Sequence, residues 1–130
     1  MLKITEEITV STQVYPTCTT DISGTSALDM SQYRHAIAQL YAHSLPDAKG
    51  EGVMTLSLYE TTNTTLVGKQ VAASVVTGSI TSASDVCLEA EIDVSSMDTT
   101  NQYRYVYPRV MVPTATAIAC TVIRGDKRYE

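Results

Sequence analysis

The chain has 130 residues, 44% of them hydrophobic and 18% charged, with a formal net charge of −5. That length supports one domain with its own core, and the balance is too apolar for a disordered chain. Lys and Arg stand singly or in pairs, so no basic stripe exists to neutralise a phosphate backbone, which argues against a nucleic-acid partner.

The N-terminal MLKITEEITV places acids and threonines where a secretion signal needs an apolar stretch. ITEEITV (4–10) and QVYPTCTT (13–20) read as short strands, with Pro16 marking an edge or a bulge. DISGTS (21–26) reads as a turn. The next segment, LDMSQYRHAIAQLYAHSL (28–45), fits two templates. As an amphipathic helix it would bring Tyr33, Ile37, Leu40, Tyr41 and Ser44 to one face, behind a capping box of Asp29 and Gln32. As a strand it would separate Ala36, Ala38, Leu40 and Ala42 from Ile37, Gln39, Tyr41 and His43. Taken alone it favours the helix; an otherwise all-β chain favours the strand.

VMTLSLYE (53–60) alternates through Met54, Leu56 and Leu58, and QVAASVVTG (70–78) reads as a more weakly patterned strand. DVCLEAEIDV (85–94) alternates most clearly. Val86, Leu88, Ala90, Ile92 and Val94 face one way, and Cys87, Glu89, Glu91 and Asp93 the other. ATAIACTVI (115–123) has small residues on both sides, as expected where layers pack closely; as the longest apolar run it is too short to cross a bilayer, so no membrane span is expected. Polar segments at 44–52, 61–65, 81–85 and 95–102 separate these runs. Seven or eight short strands joined by polar loops describe an all-β antiparallel sandwich or barrel.

Signals for catalysis are absent. The three carboxylates Glu89, Glu91 and Asp93 share one wet strand face, whereas acid–base work needs carboxyls in different environments. His35 and His43 lie about 26 Å apart in a strand and about 12 Å apart in a helix, too far to share a metal ion. Cys18, Cys87 and Cys120 show no zinc spacing and read as free, mostly buried thiols of a reducing compartment. The RGD tripeptide at Arg124 reads as the turn after a last strand, and NTT at Asn63 fits a glycosylation acceptor only in a secretory pathway. The expectation is a protein that is not an enzyme and uses no cofactor and no metal.

The stretch NQYRYVYPRVMV (101–112) stands out in a chain without Phe or Trp. In extended backbone Val106, Pro108, Val110 and Val112 share a core face with Arg104, and Tyr103, Tyr105, Tyr107, Arg109 and Met111 share the other. Phenols with Arg and Met have the composition of a protein contact surface. Pro108 points to an edge or a bulge. Candidate contact residues are therefore Tyr103, Tyr105, Tyr107, Arg109 and Met111, with Tyr15 in an N-terminal segment (1–20) that would serve as an arm or an edge strand. Stacking of sugar rings on such tyrosines is a second reading, and the absence of Trp weighs against it.

Three segments carry a resemblance. TSALDMSQY (25–33) resembles the early small-residue and Asp-aliphatic segment of the jelly-roll cement or decoration proteins on the heads of tailed bacteriophages. GVMTLSLYETTNTTLVGKQVAAS (52–74) is similar to that family's hairpin around a polar loop. QYRYVYPRVMVPTATAIACTVIRGD (102–126) resembles its closing pair of strands, joined through a Thr/Ala-rich turn. The resemblance implies one jelly-roll-like domain over residues 1–130, made in the bacterial cytoplasm and bound to the capsid exterior. It further implies the major capsid protein as partner and a homodimer or homotrimer. A head–tail connector or tail component is the alternative within the particle.

Overall fold

The structure, a computed structural model, describes residues 9–44, 52–80 and 85–127. Eight strands follow in chain order: β1 (Thr9–Ser23), β2 (Leu28–Asp29), β3 (Tyr33–Ser44), β4 (Gly52–Thr61), β5 (Lys69–Gln70), β6 (Val76–Ile80), β7 (Asp85–Asp93) and β8 (Tyr105–Lys127). Among the described residues the only helical turns are short 3-10 pieces at Ala72–Ser74, Val94–Ser96 and Thr99–Asn101. The fold is an all-β antiparallel sandwich. Of segment 28–45, Leu28–Asp29 and Tyr33–Ser44 are strand rather than helix, and Ala36, Ala38, Leu40 and Ala42 are the buried side; residue 45 lies outside the described residues.

Both layers are built on β8. Its first half pairs with β4 on one side, from Tyr105 opposite Thr61 to Met111 opposite Thr55. On the other side that half takes β2 and the end of β1. Its second half pairs with β3, from Thr116 opposite Ser44 to Lys127 opposite Tyr33, and on the other side with the start of β1. β7 extends the β3 layer, and β5 and β6 extend the β4 layer.

A strand of 23 residues would run roughly 75 Å if straight. It turns a corner instead. Thr19 sits opposite Thr116 while Asp21 sits opposite Met111, so β8 spends more residues here than β1 does. Residues 112–115 pair with neither β3 nor β4, and Pro113, which has no N–H to donate, falls in that interval. The sequence expectation of two strands and a turn is thereby corrected to one strand with a bend. The same correction places Arg124 to Asp126 inside β8, not in a turn. Arg124 instead donates to the Asp29 carbonyl at 2.8 Å and lies 4.8 Å from the Tyr33 ring.

Even-numbered residues of β8 face inward in both of its halves, at 106–112 and at 118–122. Val106, Val110, Val112, Ile118, Cys120 and Val122 are buried with Met54, Leu56 and Leu58 of β4, and with the β3 alanines, Leu40, Ala90 and Ile92. Alanines at three of four successive inward positions of β3 (Ala36, Ala38 and Ala42) let the layers approach. Gly78 of β6 serves the same end, since a Cβ there would press on Leu88 and Val86 of β7. Their burial supplies the main stabilising term, at about 25 cal/mol per Å² removed from water.

Two expected strands change their bounds. Residues 4–10 and 13–20 were separate in the sequence reading; residues 4–8 lie outside the described residues, and Thr9–Ser23 is continuous. The expected arm thus contains an edge strand over residues 9–20, paired only to β8 among the described strands. The expected strand 70–78 is broken by the 3-10 turn at Ala72–Ser74. That break leaves the Leu58 N–H without a ladder partner, because β5 ends opposite Tyr59 and β6 begins opposite Leu56. The buried Ser74 hydroxyl fills the gap, accepting from Leu58 N at 2.8 Å and donating to the Val71 carbonyl at 2.6 Å.

Truncating Leu56 to Ala should lower unfolding free energy by about 2–5 kcal/mol, because the side chain has no solvent exposure and lies between the layers. Val53→Ala, at 61% exposure on the same strand, should stay within about 0.5 kcal/mol. Urea titration of both variants checks this; equal losses would contradict the assigned core face.

Candidate contact site

The odd-numbered residues of β8 face outward beside those of β4, which places Tyr105, Tyr107, Arg109 and Met111 on one sheet face with Tyr103 just before the strand. They do not share one environment. Met111 is 46% exposed, whereas Tyr107 is 2% exposed. The Tyr107 ring lies 5.6 Å from that of Tyr59, tilted by 39°, and its hydroxyl is hydrogen-bonded by the Gly68 backbone. Burial pushes the Tyr107 phenol above its ordinary range, against a smaller opposing effect of that hydrogen bond. Gly68 can come this close because it lacks a Cβ, which would overlap the Glu60 carbonyl. Tyr107, expected on an open face, is therefore corrected to an interior residue: alternation fixes the face of a sheet, not whether a loop covers it.

Cations sit over the other rings. Lys69 Nζ is 4.3 Å from the Tyr103 centroid, and the Arg104 guanidinium is 5.0 Å from that of Tyr105, to whose hydroxyl it donates at 2.9 Å. Arg109 lies 5.9 Å from the Tyr59 ring and donates to Ser23 Oγ at 3.1 Å. Tyr103, Tyr105 and Arg109 are each partly buried. The row is a set of cation–ring pairs, each held by its own neighbours. Tyr15 falls where β1 shifts register between Val14 and Thr17, and its side chain lies outside the described residues.

Pro108 is buried in a central strand, not at an edge. Its carbonyl accepts from Gly24 N at 2.8 Å, so its missing N–H faces the turn between β1 and β2, where no ladder acceptor stands. Buried Gln13 closes this turn by accepting from Ser26 N at 3.2 Å and by backbone contact with Thr25.

A buried carboxylate anchors the segment that carries Tyr103. Glu60 takes the inward position after Leu58 on β4 and is 4% exposed. It accepts from Asp98 N at 2.9 Å and lies 3.7 Å from Lys69 Nζ. Lys69 in turn donates to Asp98 at 2.6 Å, and Asn101 donates to both Asp98 oxygens. The hydrogen bond with Asp98 raises the Lys69 ammonium above its ordinary range, and Lys69 first, Asn101 second, hold Asp98 below its own. Gln102 adopts a left-handed φ of 65° to close the turn, and Tyr103 and Arg104 then donate to the Asp98 and Thr61 carbonyls. Nothing in the sequence reading singled out Glu60, Lys69 or Asp98. The available signal was an acid in register with three inward apolar residues.

On the other layer, each histidine of β3 stands directly opposite an aspartate of β7. His43 Nδ1 meets Asp85, which also accepts from the Tyr41 hydroxyl at 3.1 Å, and His35 Nδ1 lies 3.3 Å from Asp93. His43 and then Tyr41 hold the Asp85 carboxyl below its ordinary range, and Asp93 is lowered chiefly by Ser95. Among the described residues no three His, Cys, Asp or Glu side chains are placed to hold a metal ion. Cys120 is buried, which pushes its thiol up to about 12, whereas Cys87 is exposed on the wet face of β7 where the alternation of 85–94 placed it. The side chain of Cys18 lies outside the described residues.

No family model and no curated protein matches the sequence. Among solved structures the fold is shared at a TM-score above 0.5 with a prophage-derived protein. The chain is similar to the crystal structure of SPBc2 prophage-derived protein YomS, with a TM-score of 0.52 and 12% identity over 92% of this chain and 94% of that one. More distant are a Bacillus endospore appendage that forms disulfide-linked pili, with a TM-score of 0.41, 13% identity and coverage of 92% and 88%, and the Broad Bean Stain Virus structure, with 0.35, 7%, 95% and 90%.

Tyr107→Ala should cost about 3 kcal/mol or more and Met111→Ala less than about 0.5, measured by urea unfolding, since only the first removes an interior ring. The acid limb offers a separate check. Asp85, Asp93 and Asp98 are held below the ordinary aspartate value of 3.8, so the stability they contribute is complete above that pH and is lost as pH falls through their folded values. Asp98→Asn removes one share, and its thermal midpoint should fall less steeply than that of the parent protein between about pH 5 and pH 2.

Proposed function

We propose that this chain is a non-enzymatic structural component of a phage particle that adheres to the capsid exterior as a cement or decoration protein. The observation that supports this reading is the whole-length agreement in fold with a prophage-derived protein, covering 92% of this chain and 94% of the other. The contact site is compatible with adhesion. Its ionisable groups Glu60, Lys69 and Asp98 are engaged with one another, and cations stand over the rings of Tyr103, Tyr105 and Tyr59.

Adhesion to a shell under internal pressure rewards a binder that does not deform. Because β8 belongs to both layers, shearing one layer against the other requires breaking its ladders. A rigid binder loses little conformational freedom on docking, and many copies on one particle multiply a modest affinity per site. Met111 and Val53 on the β4–β8 face, with Arg109 and Tyr59 beside them, form the contact strip in this reading, the major capsid protein is the partner, and the protein acts as a homodimer or homotrimer.

Quantitative mass spectrometry of particles purified after induction of the encoding genome tests the reading. Hundreds of copies per particle in the head fraction are expected on a shell of repeated subunits, against about a dozen for a ring-shaped connector. Absence of the chain from purified particles would overturn it.

A further inference from the structure

The outward face of the β3 layer carries a groove of about 380 Å³ that lies away from the tyrosines of β8. Its floor is low because Ala119 and Thr121 of β8 stand where larger residues occupy neighbouring positions. Tyr41 forms one wall and is 49% exposed. Unlike Tyr103 and Tyr105, Tyr41 has no cation over its ring among the described residues, and its hydroxyl is tied to Asp85 at 3.1 Å, which sets the ring's orientation. Directly along the strand, Gln39 Nε2 donates to Glu89 Oε1 across the β3–β7 register at 3.1 Å. This bond uses one amide proton and one carboxylate oxygen, so a second carboxylate oxygen and the remaining amide atoms can meet a ligand. Cys87 completes the rim.

We propose that this groove is a binding subsite for a neutral saccharide, with a pyranose ring against Tyr41 and neighbouring hydroxyls bonded to Glu89 and Gln39. Three observations choose this ligand class. An exposed, oriented phenol offers an apolar ring face, and an adjacent amide–carboxylate pair offers the acceptors and donors that vicinal hydroxyls need. The volume suits one or two sugar rings, at the small end for ligand sites. Charge excludes acidic sugars. The outward residues of β3 from Ile37 to His43 and their partners on β7 and β8 include Asp85, Glu89 and Glu91 and no Lys or Arg. The sequence reading would have placed sugar stacking at Tyr105, where Arg104 already covers the ring. This site is independent of the capsid reading, because it lies on the opposite layer from the proposed contact strip.

The test is a titration followed through backbone amide resonances, using maltotriose, mannotriose and chitotriose as neutral probes and trigalacturonate and sialyllactose as acidic ones. Saturable shifts confined to residues around Gln39, Tyr41, Cys87, Glu89 and Thr121 are expected with at least one neutral probe, with millimolar affinity, about 4 kcal/mol. Tyr41→Ala should weaken binding at least about tenfold, whereas Tyr41→Phe, which keeps the ring, should retain most of it. The Tyr41 side chain is solvent-facing, so both variants should fold, and amide spectra report folding directly. The proposal is overturned by any of three results: no localised shift with any probe up to about 20 mM, well above a millimolar constant; acidic probes binding as well as neutral ones; or shifts in the groove that follow protein concentration without sugar, which would make it a contact between copies.

Discussion

One strand holds this molecule together. β8 contributes even-numbered side chains to the interior at 106–112 and again at 118–122, and carries ladder partners on both sides through most of its length. The two layers are consequently halves of a single hydrogen-bonded sheet folded over its own core. What lets the sheet fold is a local mismatch with β1 at residues 112–115, where β8 has backbone to spare and a proline that no ladder needs.

The same arrangement sorts the tyrosines. Tyr107 stands in the middle of the β4–β8 face, where the segment containing Gly68 reaches back across the sheet and encloses it. Tyr103 and Tyr105 lie towards the end of that face, fixed by a network that begins at buried Glu60 and passes through Lys69 and Asp98. A carboxylate in the core is costly unless paired, and here the pairing also orders the turn that leads into β8. Tyr41, on the other layer, is half exposed and has a bond to one aspartate.

Periodicity made much of the fold legible. The alternation of 85–94 and 53–60 identified β7 and β4 with their inward residues, and Ala36, Ala38, Leu40 and Ala42 are buried as the strand template required. What escaped were features set by partners distant in sequence. Pro113 and its polar neighbours have the composition of a turn, and only the pairing of β1 with both halves of β8 keeps the backbone extended there. Pro108 misled for a related reason: its missing donor faces a break between β1 and β2 that no local pattern reveals. Of the candidate site, the outward face was readable, but the cover over Tyr107, the cations on Tyr103 and Tyr105, and the histidine–aspartate pairs depend on cross-strand register.

The position of β8 in the chain also governs how the molecule can come into being. Strands β1, β2, β3 and β4 all pair with residues 105–127, so a nascent chain lacking that segment has no second side for any of its major strands. Thr9 must find Arg124 across nearly the whole described sequence, a closure that costs entropy before it returns any contact and slows acquisition of the native state. Until then β3 and β7 offer only a two-stranded ribbon, itself closed over the intervening β4 to β6, with one apolar side open to water, the kind of intermediate that aggregates. The four acids that line the outer side of β7 would keep such a half-made ribbon soluble while it waits for its last strand.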